Sequence, residues 1–370
     1  MKEKLRTPLC DLLDIKYPII QAGMGILNPF IPQVATSPEL VAAVSNAGGL
    51  GVLGLTATDV DEAVDYVRRT KKLTSEPFGV DLIFPAAVGA IDTDAASKLM
   101  EKIPGQYKEL VEKIRVEYEI PKVEWEPTFI MTMMDLDLNK RKLDAIVEEK
   151  VPVIVSAFGT PSFVLEQCRA HGIKLISAVG NLKTAVRTAE LKVDAIVIEG
   201  WGAASHSGRI DTFVLIPEVV DAIKPVPVIA AGGISIGRQI AGSLMLGAAG
   251  VWMGTRFLAT PEAAVPDWYK ELIVKAGDED TAKNEYWTGK MNRHLRSPID
   301  KALETSGLKP LPMPTQMLLT MDIIGGAIVA GKYELASQLM GQGTSLINQI
   351  KPAKEVMEEL IKEAAEALGA

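Results

Sequence analysis

The sequence predicts an α/β fold in the form of a closed (β/α)8 TIM barrel, on three observations. Apolar runs of strand length at 195–199, 226–231 and 250–253 alternate with helical patterns, as parallel strands buried on both faces do. Small and polar residues follow each run: 200–208, Gly232-Gly233 and Gly254-Thr255. In α/β folds the loops beyond the carboxyl ends of strands carry the chemistry. Further upstream the same alternation supplies five more runs, and eight right-handed units close on themselves. An open doubly wound sheet would require a glycine fingerprint after the first strand with an acid about twenty residues on. Ala22-Gly23-Met24-Gly25 does not supply it.

In chain order, 7–16 reads as a lead-in and 17–21 as the first strand. A helix at 37–46 opens on Ser37-Pro38-Glu39, with proline in the first turn and an acid near the positive helix end. The second strand is 50–55, the next helix 59–72 and the third strand 78–84, which contains Asp81. The alternation then breaks. Residues 85–137 read as an insertion after strand three, with surface helices at 95–102 and 106–118, acting as a lid, a homodimer contact or decoration. It resumes with helix 138–149, strand 151–157, helix 162–170, strand 174–179 and helix 182–191. Strand 195–199, helix 213–223, strand 226–231, helix 236–246 and strand 250–253 complete the set. We therefore assign 1–260 to the barrel and 261–370 to a helical, strandless appendage packed on it, with helices at 268–276, 298–303, 316–325 and 353–368.

With 370 residues and 48% hydrophobic content the chain can bury a large core. A net charge of −8 without a basic stripe argues against nucleic acid. Lys71-Lys72 and Lys140-Arg141-Lys142 are flanked by acids and read as solvated helix faces. Cys10 and Cys168 read as reduced structural thiols, and 1–7 lacks the apolar core of a signal peptide, so a cytoplasmic protein is expected. The longest apolar stretch, 323–330, falls well short of the roughly 18 residues of a membrane span. Three scattered histidines and two cysteines give no metal constellation. A small-molecule substrate is what remains.

Two features point to chemistry. Gly232, Gly233, Gly254 and Thr255 lie after the last two strands, where barrels build a phosphate site from backbone N–H groups and a helix N-terminus. FMN, a sugar phosphate or a nucleotide would all fit. His206 alone of the three histidines follows a strand in a small-residue loop, where it could titrate near neutral pH and move a proton. His171 and His294 are not assigned roles, and Met131-Thr132-Met133-Met134 reads as core filler.

The segments at 18–24 (Pro-Ile-Ile-Gln-Ala-Gly-Met), 40–51, 77–80 and 193–257 resemble the nitronate monooxygenase family and its relative, the flavin-dependent enoyl-acyl carrier protein reductases. The resemblance spans nearly the whole chain except 85–137 and parts of 268–314. It implies an FMN-binding TIM barrel that oxidises an alkyl nitronate with oxygen to a carbonyl compound and nitrite. The alternative it allows is a reductase of an enoyl thioester or quinone, with NADH or NADPH as electron donor; a non-catalytic flavin-binding protein is the reading of another class. By the same resemblance Ala22, Gly23 and Met24 line the flavin, Gly232, Gly233, Gly254 and Thr255 hold its phosphate, and His206 is the active-site histidine. Asp81 stands where the family commonly has Asn. It is expected beside the flavin as a cofactor-binding and catalytic residue, and if ionised it would oppose an anionic nitronate.

Overall fold

The computed structural model describes residues 5–84, 93–204, 206 and 208–369. The start of the expected insertion, 85–92, and Ser205 and Ser207 of the His206 loop lie outside the described residues.

Eight parallel strands form one sheet: β1 (Ile19–Gln21), β2 (Gly51–Gly54), β3 (Phe78–Ile83), β4 (Val153–Ala157), β5 (Lys174–Val179), β6 (Ala195–Glu199), β7 (Val228–Ala231) and β8 (Gly250–Met253). Each pairs with its sequence neighbour, and β8 pairs with β1. Between β1 and β2 the ladder thins to a single bridge, Ile20 to Leu50. There the buried Gln21 side chain takes over the role of backbone. Its Nε2 donates to the Val52 carbonyl at 3.1 Å, and its Oε1 accepts from the Val52 N–H at 3.2 Å. The sheet is thereby a closed barrel.

The alternation of strand side chains separates two cores. Ile20, Val52, Val155, Val197, Ile229 and Trp252 fill the barrel. Leu9, Cys10 and Leu13 of a short helix (Pro8–Leu13), within the stretch read as a lead-in, join the same cluster. The other face of the strands, with Leu53, Val80, Ile154, Ile196 and Val251, packs under the surrounding helices. Local chemistry starts several of these helices. Ser37, Asp59, Asp135 and Asn181 each accept a backbone N–H of the first turn, at 2.8–3.0 Å.

Four features depart from the sequence reading. An antiparallel hairpin (Ile26–Asn28 with Ile31–Val34) follows β1. A second hairpin (Thr281–Asn284 with Asn292–Leu295) lies in the appendage expected to be strandless. Its strands are four residues long and polar, so no apolar alternation announces them. Lys142 is not on a solvated face: it is fully buried, its Nζ donating to the carbonyls of Leu55 (3.0 Å) and Thr56 (2.5 Å). Burial lowers its pKa to about 7, against the opposing pull of Asp135, Asp59 and Glu62. Finally, Met133 and Met134, read as filler, line the large cavity described below.

The insertion and the appendage share a third core. Ile103, Val111, Ile114 and Ile130 of the insertion pack with Trp287, Leu318, Met321 and Ile324 of the tail. Arg115 pairs with Asp322 across this contact, and Tyr107 donates to the Lys309 carbonyl at 2.9 Å. Cys10 and Cys168 are buried and unpaired. No helix among the described residues is long and apolar enough to cross a membrane.

Replacing Gln21 by Leu keeps the volume but leaves the buried N–H and C=O of Val52 without partners. The expected loss is about 2–4 kcal/mol of stability, read as a lower urea midpoint at unchanged m-value. An unchanged midpoint would mean that the seam does not depend on this side chain.

Candidate active site

One cavity of about 540 Å³ opens at the carboxyl ends of the strands. Its floor is barrel loop: Ala22, Gly23 and Met24 after β1, Thr56 and Ala57 after β2, Gly232 and Gly233 after β7, Gly254 and Thr255 after β8. Its upper wall comes from Phe129, Met133 and Met134 of the insertion and Met317, Met321 and Ile324 of the tail helix Thr315–Val329. The sequence thus places all but one of the expected site residues around a single space.

The exception is Asp81, which does not line the cavity. It lies behind Gly23, so close that a Cβ on Gly23 would fall 2.5 Å from the Asp81 Cβ. Its Oδ1 is buried and receives no hydrogen bond. Burial, and then the nearby Glu199 charge, hold its pKa well above the ordinary carboxylate value. Both push the group toward its protonated form, in which a carboxyl can donate a hydrogen bond. Its place behind Gly23, outside the cavity lining, and its raised pKa both weaken the expected repulsion of an anion.

The β7 and β8 loops meet a third partner that the sequence reading missed. Tail residues Gly341–Gly343 settle onto them: Gly341 N–H donates to Thr255 Oγ1 at 2.9 Å, and Gln342 N–H to the Gly202 carbonyl at 2.9 Å. At Gly343 a Cβ would fall 2.4 Å from the Gly233 carbonyl oxygen. Gly233 itself has φ +76°, a conformation that only glycine adopts freely. The N–H groups of Gly233, Gly254 and Thr255 donate to no protein acceptor among the described residues. Two amides at the start of the helix after β7 (Gly237–Met245) are already engaged. Ser235 N–H donates to Gln239 Oε1, and Gly237 N–H to Glu363 Oε2, both at 2.8 Å. The signal for the third partner was the Gly-Gln-Gly run itself, which belongs to no helix or strand pattern.

His206 lines the cavity, with Nδ1 3.3 Å from the Met291 carbonyl. That carbonyl can only accept, so Nδ1 carries the proton and Nε2 is left with a lone pair. Burial, followed by the Lys290 charge, lowers its pKa to about 4 despite the Met291 bond. The expectation of titration near neutrality is corrected: His206 is neutral at pH 7 and can accept but not supply a proton. The hairpin that contributes Met291 also fixes the loop. Lys283 Nζ donates to the carbonyls of Trp201 (2.9 Å) and Gly208 (2.8 Å) and lies 4.2 Å from the Trp201 ring centre. His294, in the same hairpin, is wholly buried and bonded to Asp300 at 2.9 Å, a structural role.

A second missed residue is Glu199, at the end of β6 and on the cavity wall. Burial raises its pKa to about 7, against the pull of Lys283 and Lys290. Lys290 stands at the rim with its ammonium 4.1 Å from the Phe158 ring centre. No cluster of His, Cys, Asp or Glu among the described residues could hold a metal.

A closed parallel barrel with unengaged amides at its last two loops and an acid and an imidazole facing the same space defines a cofactor-binding enzyme of the TIM-barrel class. The chain belongs to the nitronate monooxygenase family, whose sequence pattern matches residues 6–363. A Staphylococcus aureus protein named probable nitronate monooxygenase is 31% identical, with 96% of each chain covered. Among solved structures, nitroalkane oxidase from Streptomyces ansochromogenes superposes with a TM-score of 0.79 at 28% identity, covering 98% of this chain and 99% of that one. FabK from Thermotoga maritima does so with a TM-score of 0.74 at 31% identity, covering 98% and 97%. The protein is accordingly a flavin-dependent oxidoreductase that oxidises nitronates.

The charge state of Glu199 gives a stability test on the protein without cofactor. A carboxyl whose folded pKa is raised favours the fold while protonated, and that contribution disappears as pH rises through the folded value. Between pH 4.5 and pH 8 wild type should therefore lose about 2–3 kcal/mol more stability than Glu199→Gln, by denaturant titration at each pH. Parallel curves for the two proteins would place Glu199 in a solvated environment.

Proposed function

We propose that the flavin is FMN and that it occupies this cavity, with Gly233, Gly254 and Thr255 holding its phosphate through their backbone N–H groups. The unengaged amides between the β7 and β8 loops carry this reading. The donor set fits a phosphate, since it offers several N–H groups and no side chain in the approach. The cavity volume lies within the range of cofactor and ligand sites, about 300–1,000 Å³. Ala22, Gly23 and Met24 would flank the ring, with Asp81 behind Gly23 and outside the cavity lining.

Bound there, a flavin would supply the electron-transfer chemistry that couples nitronate oxidation to oxygen, with a carbonyl compound and nitrite as products. The protein's part is position and electrostatics. His206, neutral and oriented by Met291, lines the cavity with Nε2 as an acceptor that can take up a proton or receive a donated hydrogen bond. Lys290 at the rim attracts the anion. The apolar wall of Met133, Met317 and Met321 keeps water from the reacting carbon.

The likeness to FabK supports a second reading on the same cavity, in which NADH or NADPH reduces the flavin. Anaerobic mixing separates the two: bleaching by alkyl nitronate at a rate matching turnover supports the first, and bleaching by NADH or NADPH alone supports the second.

Two substitutions test the assignment. Gly254→Leu projects a side chain toward Met24 and Ala22 and should leave the purified protein largely colourless, with FMN affinity lower by about tenfold or more. Full FMN occupancy in that variant would move the cofactor elsewhere. His206→Ala should keep its FMN and lose about 10²-fold in kcat/KM on nitronate; wild-type kinetics would leave the imidazole without a role.

A further inference from the structure

Phe158, in the loop after β4, meets neither of the usual reasons for a large aromatic side chain. It is 41% exposed, so it does not serve the core. Its backbone is left-handed, φ +59°, a conformation that strains a bulky residue and suits a glycine. Strain of this kind persists where the surroundings over-determine it and clusters where function uses the result. The surroundings here are specific. The buried Ser156 Oγ donates to the Gly159 carbonyl at 2.5 Å, and Thr160 Oγ1 lies 2.7 Å from Ser177 Oγ. A Cβ on Gly159 would fall 2.9 Å from the Phe84 carbonyl oxygen, so the chain on both sides of Phe158 is held in place.

What this backbone does is set the ring at the cavity rim. Phe158 and Lys290 both line the cavity, and both are exposed to solvent. They come from separate elements, the loop after β4 and the turn of the tail hairpin. The Lys290 ammonium lies 4.1 Å from the ring centre, within cation–π range, and the His206 ring centre lies 6.0 Å away. We propose that Phe158 is a specificity-determining residue: with Lys290 it forms a clasp at the mouth of the cavity and sets how large a carbon substituent a nitronate can carry past His206. This rests on the nitronate-oxidising reading above and adds a size limit to it.

The chemistry of the lining favours this assignment. Met133, Met317 and Met321 of the roof are unbranched thioethers that repack around a substituent. Phe158 is different in kind. Its ring is rigid, its backbone is fixed by Ser156 and Gly159, and its face is engaged by the Lys290 ammonium. A long alkyl chain can deform the roof, whereas at the rim it must displace the ring and break the contact with Lys290. Discrimination by substituent size therefore falls on the one aromatic that the clasp holds.

The test compares ethyl, butyl and hexyl nitronate in steady-state turnover of the FMN-loaded enzyme. In wild type kcat/KM should fall from ethyl to hexyl. Phe158→Ala should raise the hexyl-to-ethyl ratio of kcat/KM by about tenfold or more, mainly through a lower KM for the long chain. Lys290→Met, which removes the partner of the ring, should move the ratio the same way while raising KM for all three. Should Phe158→Ala fail to fold, Phe158→Gly gives the second arm, because the left-handed backbone suits glycine; it must show the same change of ratio. An unchanged ratio in the Phe158 variants or in Lys290→Met overturns the proposal, as does a wild type indifferent to chain length. An equal loss on all three nitronates in the Phe158 variants also overturns it and leaves the residue structural. Absence of turnover with every nitronate in wild type would instead sink the nitronate-oxidising reading, and the clasp would fall with it.

Discussion

Backbone meeting backbone at the carboxyl ends of β6, β7 and β8 is the constraint on which the rest of the site depends. Gly202, Gly233, Gly341 and Gly343 come so close that a side chain at Gly343 would overlap the Gly233 carbonyl. The same approach lets Gly341 and Gln342 bind Thr255 and Gly202 across more than eighty residues of sequence. The amides of the β7 and β8 loops are thus positioned by the tail as much as by the strands that bear them. On the opposite side, the contact of Gly23 with Asp81 sets how near the β1 loop lies to the third strand.

Burial, more than pairing, sets the charges around the cavity. It raises the pKa of Asp81 well above the ordinary carboxylate value, brings that of Glu199 near 7 and keeps His206 uncharged; Lys283 and Lys290 pull the Glu199 value down, and Lys290 that of His206. Residue type alone would give two carboxylates and a titrating imidazole. The environment gives a carboxyl pushed toward its protonated form, a second with a pKa near 7 and a fixed hydrogen-bond acceptor.

The barrel was legible because its strands are apolar on both faces and its helices carry capping residues at their first turns. Glycines after strand ends could be read for the same reason: backbone is needed there and side chains are excluded. Glu199 was not legible. At the end of an apolar run it passes for an ordinary strand terminus, and only the closed barrel shows which way it points. Lys142 sits in a Lys-Arg-Lys run flanked by acids, which on average marks a wet surface. Its burial depends on two carbonyls at the end of β2 that no local pattern encodes. The tail hairpin escaped because its four-residue strands are polar and are stabilised by Trp287, His294 and Asp300 rather than by alternation. The resemblance to a family led us to expect Asp81 beside the flavin; its position behind Gly23, and the burial that raises its pKa, came only from the structure.

The cavity is bounded by two hydrophobic cores of separate origin: the barrel strands with their helices, and the insertion packed on the tail helix. Residues such as Met317 and Met321 pack with the second, whereas the phosphate-side glycines and the Gln21 seam belong to the barrel strands and their loops. Selection can therefore remodel the roof, changing its width, flexibility or apolar reach, while the floor that grips the cofactor stays as it is. A scaffold divided in this way can drift among substrates through many small roof substitutions, each filtered by local packing alone, before any change to its redox centre is required.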